Sequence, residues 1–307
     1  MISVVIPAYN SEQTLPLLIE RTRRVLQELA LECEFVIVDD SSKDGTWKVL
    51  RELARSHPDI RALHFRRNFG QHNALLAGIR AARGETIVTL DDDLQHPPEE
   101  IPKLLRVLEG GADVAYGFPE KLPHSFTRNV FSLLMKIALQ KAMGADTARH
   151  HSGFRAFRTS LRDAFEHYDG AYVSIDVLLT WATTRFAWVY VAHHPRSVGR
   201  SNYTIGKLFN HALTLITGFS TVPLRVASIA GLACTLFGLV LLVYVVGRYF
   251  LQGVKVPGFA FLASALSIFS GVQLFALGIM GEYLARIHTR TLGRPSYVIA
   301  EATDGMT

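Results

Sequence analysis

Short apolar, β-branched runs recur along the first third of the chain, each followed by a polar loop and then by apolar positions at helical spacing. Ile2 to Ile6 ends in Pro7-Ala8-Tyr9-Asn10, and a helical pattern runs from Ser11 to about Leu29. Glu34 to Val38 leads into Asp39-Asp40-Ser41-Ser42-Lys43-Asp44-Gly45 and a helix from about Thr46. Ile60 to Phe65 leads into Arg66-Arg67-Asn68-Phe69-Gly70 and a helix to Ala82. Thr86 to Leu90 leads into Asp91-Asp92-Asp93 and a helix to Leu108, and Asp113 to Gly117 reads as a further strand. Strands alternating with helices predict an α/β domain, a mostly parallel sheet covered on both faces. Ligands of such sheets bind beyond the carboxyl ends of the strands. All four loops leave at that edge, so a site can be assembled there.

The pattern then changes. Phe126 to Met143 carries apolar residues interleaved with Arg128, Lys136 and Lys141, the make-up of a helix lying in a membrane interface or packed on the sheet. Lys207 to Phe219 reads as a second amphipathic helix. Val226 to Val246 is 21 residues without a charge and Val256 to Gly281 is 26. Each is long enough to cross a hydrocarbon core of roughly 30 Å as a helix. The expected division is a catalytic domain over 1–204, an interfacial helix over 205–223, a transmembrane hairpin over 224–283 with spans at about 225–247 and 256–281, and a cytosolic tail over 284–307. Arg196, Arg200, Lys207 and Arg225 precede the hairpin and Arg286, Arg290 and Arg294 follow it, against Arg248 and Lys255 in its turn. That bias puts the catalytic domain in the cytosol.

Composition adds limits. Half of the 307 residues are apolar and the formal charge is +5, which reads as attraction to anionic lipid and to phosphates; there is no nucleic-acid-binding motif. Cys33 and Cys234 have no reason to pair, which fits a reducing compartment. Met1 leads straight into Ile-Ser-Val-Val-Ile with no basic leader, so the N-terminal domain is expected to stay where it was made. The absence of G-x-G-x-x-G and of G-x-x-x-x-G-K-[ST] disfavours a dinucleotide-dependent dehydrogenase and a P-loop NTPase.

Asp91-Asp92-Asp93-Leu94-Gln95-His96-Pro97-Pro98 carries the candidate chemistry. Three adjacent carboxylates repel one another, and a divalent cation bridging to a diphosphate relieves the repulsion; a solvated acidic turn before a helix is the plainer reading. If the strand continues, Asp91, Asp93 and Gln95 share a face and Asp92 points elsewhere. Asp176, inside the apolar run Tyr172 to Trp181, should meet a partner or have its pKa raised. His193 and His194 would point opposite ways on a strand, which disfavours zinc.

Val-Val-Ile-Pro-Ala-Tyr-Asn, Asp-Asp-Ser-Ser-Lys-Asp-Gly-Thr, Arg-Asn-Phe-Gly-Gln and Leu-Asp-Asp-Asp-Leu-Gln-His-Pro-Pro-Glu, in that order, resemble the GT-A fold of family 2 glycosyltransferases. With the apolar hairpin they resemble the branch that acts on polyprenyl phosphates, which includes dolichol-phosphate mannose synthase and the undecaprenyl-phosphate aminoarabinose and glucose transferases. The resemblance implies that Pro7, Ala8, Tyr9, Asn10, Asn68 and Asp92 line the nucleotide-sugar pocket and that Asp40 binds the base or ribose edge. It implies that Asp91, Asp93 and Gln95 hold Mg2+ or Mn2+ against the donor diphosphate, with Asp93 central to catalysis. Arg128 and Ser132, spaced i, i+4, match the branch's lipid-phosphate pair; where the branch carries an Arg earlier this chain has Phe118 and Pro119, so that contact is missing or taken over by Lys121. His151-Ser152-Gly153-Phe154-Arg155 matches a further element, with Arg155 near the phosphates. Where many relatives have an Asp a few residues before that Arg, this chain has Arg149 and His150; Asp176 is then either the substitute that positions the acceptor or a buried carboxylate paired with a nearby Arg. Arg200, Ser201 and Tyr203 match a loop closing over the diphosphate, and Glu282 and Arg294-Pro295-Ser296-Tyr297 match anchoring or assembly contacts.

The expected activity is inverting transfer of one sugar from a UDP- or GDP-linked donor to a polyprenyl phosphate, at a bacterial inner membrane, by a homo-oligomer that the resemblance makes a tetramer. Arg-Asn-Phe-Gly-Gln-His and His-Pro-Pro-Glu-Glu-Ile-Pro stand nearest the aminoarabinose transferases. A processive polysaccharide synthase and a non-catalytic assembly factor of the same fold are the alternatives; the former usually carries Q-x-x-R-W, which this chain lacks.

Overall fold

The computed structural model describes residues 1–119, 152–170, 173–194, 222–252 and 258–303. The chain divides into two compact units, Met1–Tyr203 with Arg294–Thr307, and Thr204–Gly293.

The first unit is an eight-stranded sheet. Its elements are β1 (Ile2–Ala8), α1 (Leu15–Glu28), β2 (Cys33–Asp39), α2 (Thr46–Ser56), β3 (Ile60–Phe65), α3 (Gln71–Ala81), β4 (Thr86–Thr89), α4 (Ile101–Glu109), β5 (Val114–Pro119), β6 (Arg155–Arg158), α5 (Ile175–Ala182), β7 (Phe186–Val191) and β8 (Ile299–Ala302). The strand order is β7-β5-β6-β4-β1-β2-β3-β8. β1 pairs in parallel with both β2 and β4, and β2 with β3. β6 and β8 run antiparallel to their neighbours. The order of the parallel strands reverses between β1 and β4, so the loops after Ala8 and Thr89 stand side by side at the switch point, where such sheets form a crevice beyond the carboxyl ends of their strands.

Period-2 alternation sorts the strand residues. Val4, Ile6 and Ala8 of β1 pack with Leu15, Leu18 and Leu26 of α1 and Leu104 of α4 on one face. Val5 packs with Leu75, Leu76 and Ile79 of α3 and Leu178 of α5 on the other. The buried positions of α1, Leu15, Leu18, Ile19, Thr22, Val25 and Leu26, keep the i, i+3, i+4, i+7 spacing that makes a helix one-sided.

Two expectations need correction here. The strand carrying the acidic triplet ends at Thr89, because Leu94 takes a left-handed φ of 59° and Asp91 to Gln95 form a turn, so alternation does not carry past Leu90. The segment 284–307 is not a free tail. Its helix continues to Thr291, and β8 then joins the sheet antiparallel to β3, because Tyr297 stacks on Phe65 with centroids 5.3 Å apart and Ser296 is buried.

The second unit contains α6 (Val222–Gln252) and α7 (Phe259–Thr291). Its windows Leu224–Gly247 and Ile268–Thr291 are long and apolar enough to cross a membrane, and neither is buried. Ile229, Leu236, Leu274 and Phe275 stand more than half exposed. The helices meet where Gly238 leaves room: a Cβ there would lie 3.4 Å from the Phe269 ring.

Candidate active site

The crevice is built by backbone groups that seek partners at the strand ends. The Tyr9 N–H donates to Asp92 Oδ2 at 3.0 Å and the Ser11 hydroxyl donates to the same oxygen, so Asp92 ties the β4 turn to the β1 loop. Burial raises the Asp92 pKa, and those two donors pull it back. Asn10, at φ 55°, donates its N–H to Ser42 Oγ at 2.9 Å and accepts the Lys43 N–H on Oδ1 at 2.8 Å. Pro7 and Ala8 are buried within β1, while Tyr9 and Asn10 are exposed beyond it.

The paired acids after β2 are spent internally. Asp39 is fully buried; its Oδ1 accepts the N–H and hydroxyl of Ser42, and Oδ2 meets His64 Nδ1 at 2.7 Å. Trp47 stacks on that imidazole with centroids 5.0 Å apart. The Asp40 carboxylate accepts the N–H groups of Phe69 at 2.6 Å and Gly70 at 2.8 Å, and Asn68 Nδ2 donates to the Asp40 carbonyl at 3.3 Å. Burial raises the Asp40 pKa against those two donors. The Asp40 carboxylate, expected at a base or ribose edge, thereby also fastens the β3–α3 loop.

Asp91 Oδ1 accepts from Gln71 Nε2 at 2.6 Å, and Asp93 Oδ1 accepts the Gln95 N–H at 3.1 Å. The Gln95 carbonyl in turn accepts the His194 N–H at 2.8 Å, which holds the chain after β7 beside the acidic turn. His96 lies against Phe154, with centroids 5.4 Å apart, and edge-on to His193 at 5.1 Å. Burial, reinforced by His193 and opposed by Asp93, lowers its pKa to about 4, so it is neutral at neutral pH.

Among the described residues no group of three His, Cys, Asp or Glu forms a metal cage. The donor set suits a cation that keeps most of its shell for substrate: Mg2+ at nucleotide sites is generally held by one or two carboxylates plus phosphates and water. Asp91 and Asp93 meet that need.

Arg155 is not exposed to the crevice. It is 2% accessible, donates Nη1 to Asp176 Oδ1 at 2.5 Å and Nε to Thr89 Oγ1 at 3.2 Å. Tyr116 donates its hydroxyl to the same Asp176 oxygen at 2.9 Å. Burial first, then the Asp176 charge, pushes the Tyr116 pKa well above its ordinary value, which keeps the donor proton in place. Asp176 therefore meets a partner, and both residues expected at the chemistry are held in this ion pair. Lys121, Arg128, Ser132, Arg200 and Ser201 lie outside the described residues. Sequence reasoning missed Ser11, Gln71, Thr89 and Tyr116. Of these, Gln71 ends the Arg-Asn-Phe-Gly-Gln string, and Thr89 stands two residues before Asp91 at a strand end.

A mostly parallel α/β sheet with an acidic turn at its switch point is the arrangement of a GT-A fold. Residues 3–168 match the model of glycosyl transferase family 2, and the chain belongs to that family. It is 36% identical over 301 residues to the undecaprenyl-phosphate 4-deoxy-4-formamido-L-arabinose transferase of Proteus mirabilis, covering 97% of this chain and 92% of that one. The transferase of the same name from Pectobacterium carotovorum is 34% identical over 310 residues, covering 100% and 94%. Glucosyl-3-phosphoglycerate synthase from Mycobacterium tuberculosis, solved with Mn2+, UDP and phosphoglyceric acid, superposes with a TM-score of 0.52 at 20% identity over 71% of this chain and 76% of that one, a likeness of fold.

Proposed function

We propose that this glycosyltransferase moves one sugar from a nucleotide donor to the phosphate of undecaprenol, with inversion, at a bacterial inner membrane. The observation that carries the proposal is the joining, in one chain, of a switch-point acidic turn to two bare apolar helices. The similarity to undecaprenyl-phosphate transferases extends through both parts, at 97% of the chain. UDP-linked 4-deoxy-4-formamido-L-arabinose is the first donor to test.

Tyr9 and Asn10 would face the nucleotide, Asn68 would shape its loop, and Arg200 and Ser201 would meet the diphosphate. Lys121, Arg128 and Ser132 would receive the lipid phosphate. Asp91, Asp93 and Gln95 would hold Mg2+ or Mn2+, which supplies Lewis-acid neutralisation of the departing nucleoside diphosphate. Asp92 fixes the turn to β1 and so sets where its neighbours stand. An acceptor phosphate is already ionised near neutral pH, so alignment and charge neutralisation govern the rate rather than proton removal.

The test offers the purified chain undecaprenyl phosphate with a panel of UDP- and GDP-sugars and identifies the glycolipid by mass. A single-sugar phospholipid formed only with a divalent cation, and lost in Asp93→Ala, is expected. Undiminished turnover in that variant, or a polymeric product, refutes the proposal.

A further inference from the structure

We propose that Thr89, Arg155, Asp176 and Tyr116 form a positioning device for the Asp91 carboxylate, acting through the main chain at Gly153. The inference rests on the reading of Asp91 as a ligand of a donor-bound cation. Strand register sets up the device: Thr89 stands opposite Arg155 across β4 and β6, and Tyr116 opposite Arg155 across β5 and β6. Three side chains thereby form a row across three strands, and α5 brings Asp176, in its first turn, onto that row.

Each polar atom of the row has a defined use. The Thr89 hydroxyl accepts from Arg155 Nε and spends its one proton on the Gly153 carbonyl at 2.6 Å. The Arg155 charge is balanced by Asp176, and Asp176 is also held by the Tyr116 phenol. An arginine this deeply buried cannot leave its partner cheaply, so the row is rigid and Gly153 is fixed by it. Gly153 in turn lies against Asp91. A Cβ at position 153 would fall 2.6 Å from Asp91 Oδ2 and 3.0 Å from Oδ1, closer than any side chain can sit. The glycine is a wall that the carboxylate rests on, while Gln71 Nε2 holds Oδ1. A carboxylate that must share a cation with a diphosphate needs its place set within about 0.5 Å, and this wall sets it.

The experiment uses the full-length chain in detergent, with Mn2+ binding in the presence of UDP read by electron paramagnetic resonance and, separately, turnover titrated with Mn2+. Thr89→Val removes the hydroxyl while keeping its shape, Thr89→Ser restores it, and Gly153→Ala moves the wall without touching the buried row. Outer-shell partners of metal ligands typically contribute about 10- to 100-fold in metal affinity. Thr89→Val and Gly153→Ala are expected to weaken Mn2+ binding by about that factor, with the donor KM at saturating Mn2+ little changed and Thr89→Ser close to wild type. A melting temperature lowered in both variants with wild-type Mn2+ affinity overturns the inference and leaves the functional reading standing. A wild-type chain that neither binds Mn2+ with UDP nor requires a divalent cation overturns the reading of Asp91, and the inference with it.

Discussion

Asp92 shows how one residue of an acidic triplet serves structure while its neighbours are proposed for chemistry. Its Oδ2 receives the Tyr9 N–H and the Ser11 hydroxyl, so Asp92→Ala leaves two donors without their acceptor, a loss of about 1–3 kcal/mol. Asp92→Asn keeps an acceptor there. Because the folded pKa of Asp92 is raised, the native state binds the proton more tightly than the unfolded chain does, and wild-type stability falls as pH rises from the ordinary aspartate range through the raised value. The stability of Asp92→Asn relative to wild type is therefore expected to climb over that window and to level off above it. Unfolding midpoints measured from pH 4 to pH 8 check this, and a difference that shrinks with rising pH contradicts it. The triplet itself stands out in the sequence as a candidate site. Alternation already set Asp92 apart from Asp91 and Asp93, but its partners in the β1 loop were not legible, because alternation assumes a strand and the left-handed Leu94 replaces the strand with a turn. At Asp40, likewise, the sequence shows a carboxylate at a strand end, and only the fold shows that it also fastens the β3–α3 loop through the Phe69 and Gly70 N–H groups.

Among the elements, β1 to β5 and the helices α1 to α4 could be read from apolar runs because each buries a whole face of its own. β6 and β8 could not. Arg-Ala-Phe-Arg and Ile-Ala-Glu-Ala are four-residue strands with little periodic signal, and each exists because a neighbouring strand offers a free hydrogen-bonding edge. β8 is held further by Tyr297, which stacks on Phe65 and lies under the Arg80 guanidinium, 5.8 Å from its ring. Its hydroxyl accepts from Arg80 Nη1 at 3.4 Å, a long bond. The ring contact should thus dominate. Tyr297→Ala is expected to destabilise the sheet unit by about 2–4 kcal/mol, toward the low end for aromatic truncation because the ring is only partly buried, whereas Tyr297→Phe should lose under about 1 kcal/mol. Thermal unfolding followed through tryptophan fluorescence checks both, since Trp47 stacks on β3 at His64 and donates to Glu301 of β8 at 3.0 Å. Equal losses in the two variants would show that the hydrogen bond, not the stack, holds the strand.

For the whole molecule, the path of the chain restricts how it can meet a membrane. The chain leaves the sheet unit before α6 and returns to it after α7, where β8 pairs with β3. If α6 and α7 both cross a bilayer, the sheet unit fixes both outer ends of the pair on one side, independently of any charge bias. The charges predict which side: Arg225, Arg286, Arg290 and Arg294 flank the outer ends and Arg248 and Lys255 the turn, the asymmetry expected of a pair whose ends are cytosolic. A single cysteine at either end of this scheme tests it, in a chain first freed of Cys33 and Cys234. Lys48→Cys places a thiol on the exposed side of α2, and Gln252→Cys places one at the end of α6. In spheroplasts a membrane-impermeant maleimide is expected to label position 252 at once and position 48 only after permeabilisation. Labelling of position 48 in sealed spheroplasts would reverse the orientation, and labelling of both would mean that the two helices do not span. Either result would remove the cytosolic supply of nucleotide sugar on which the proposed reaction depends.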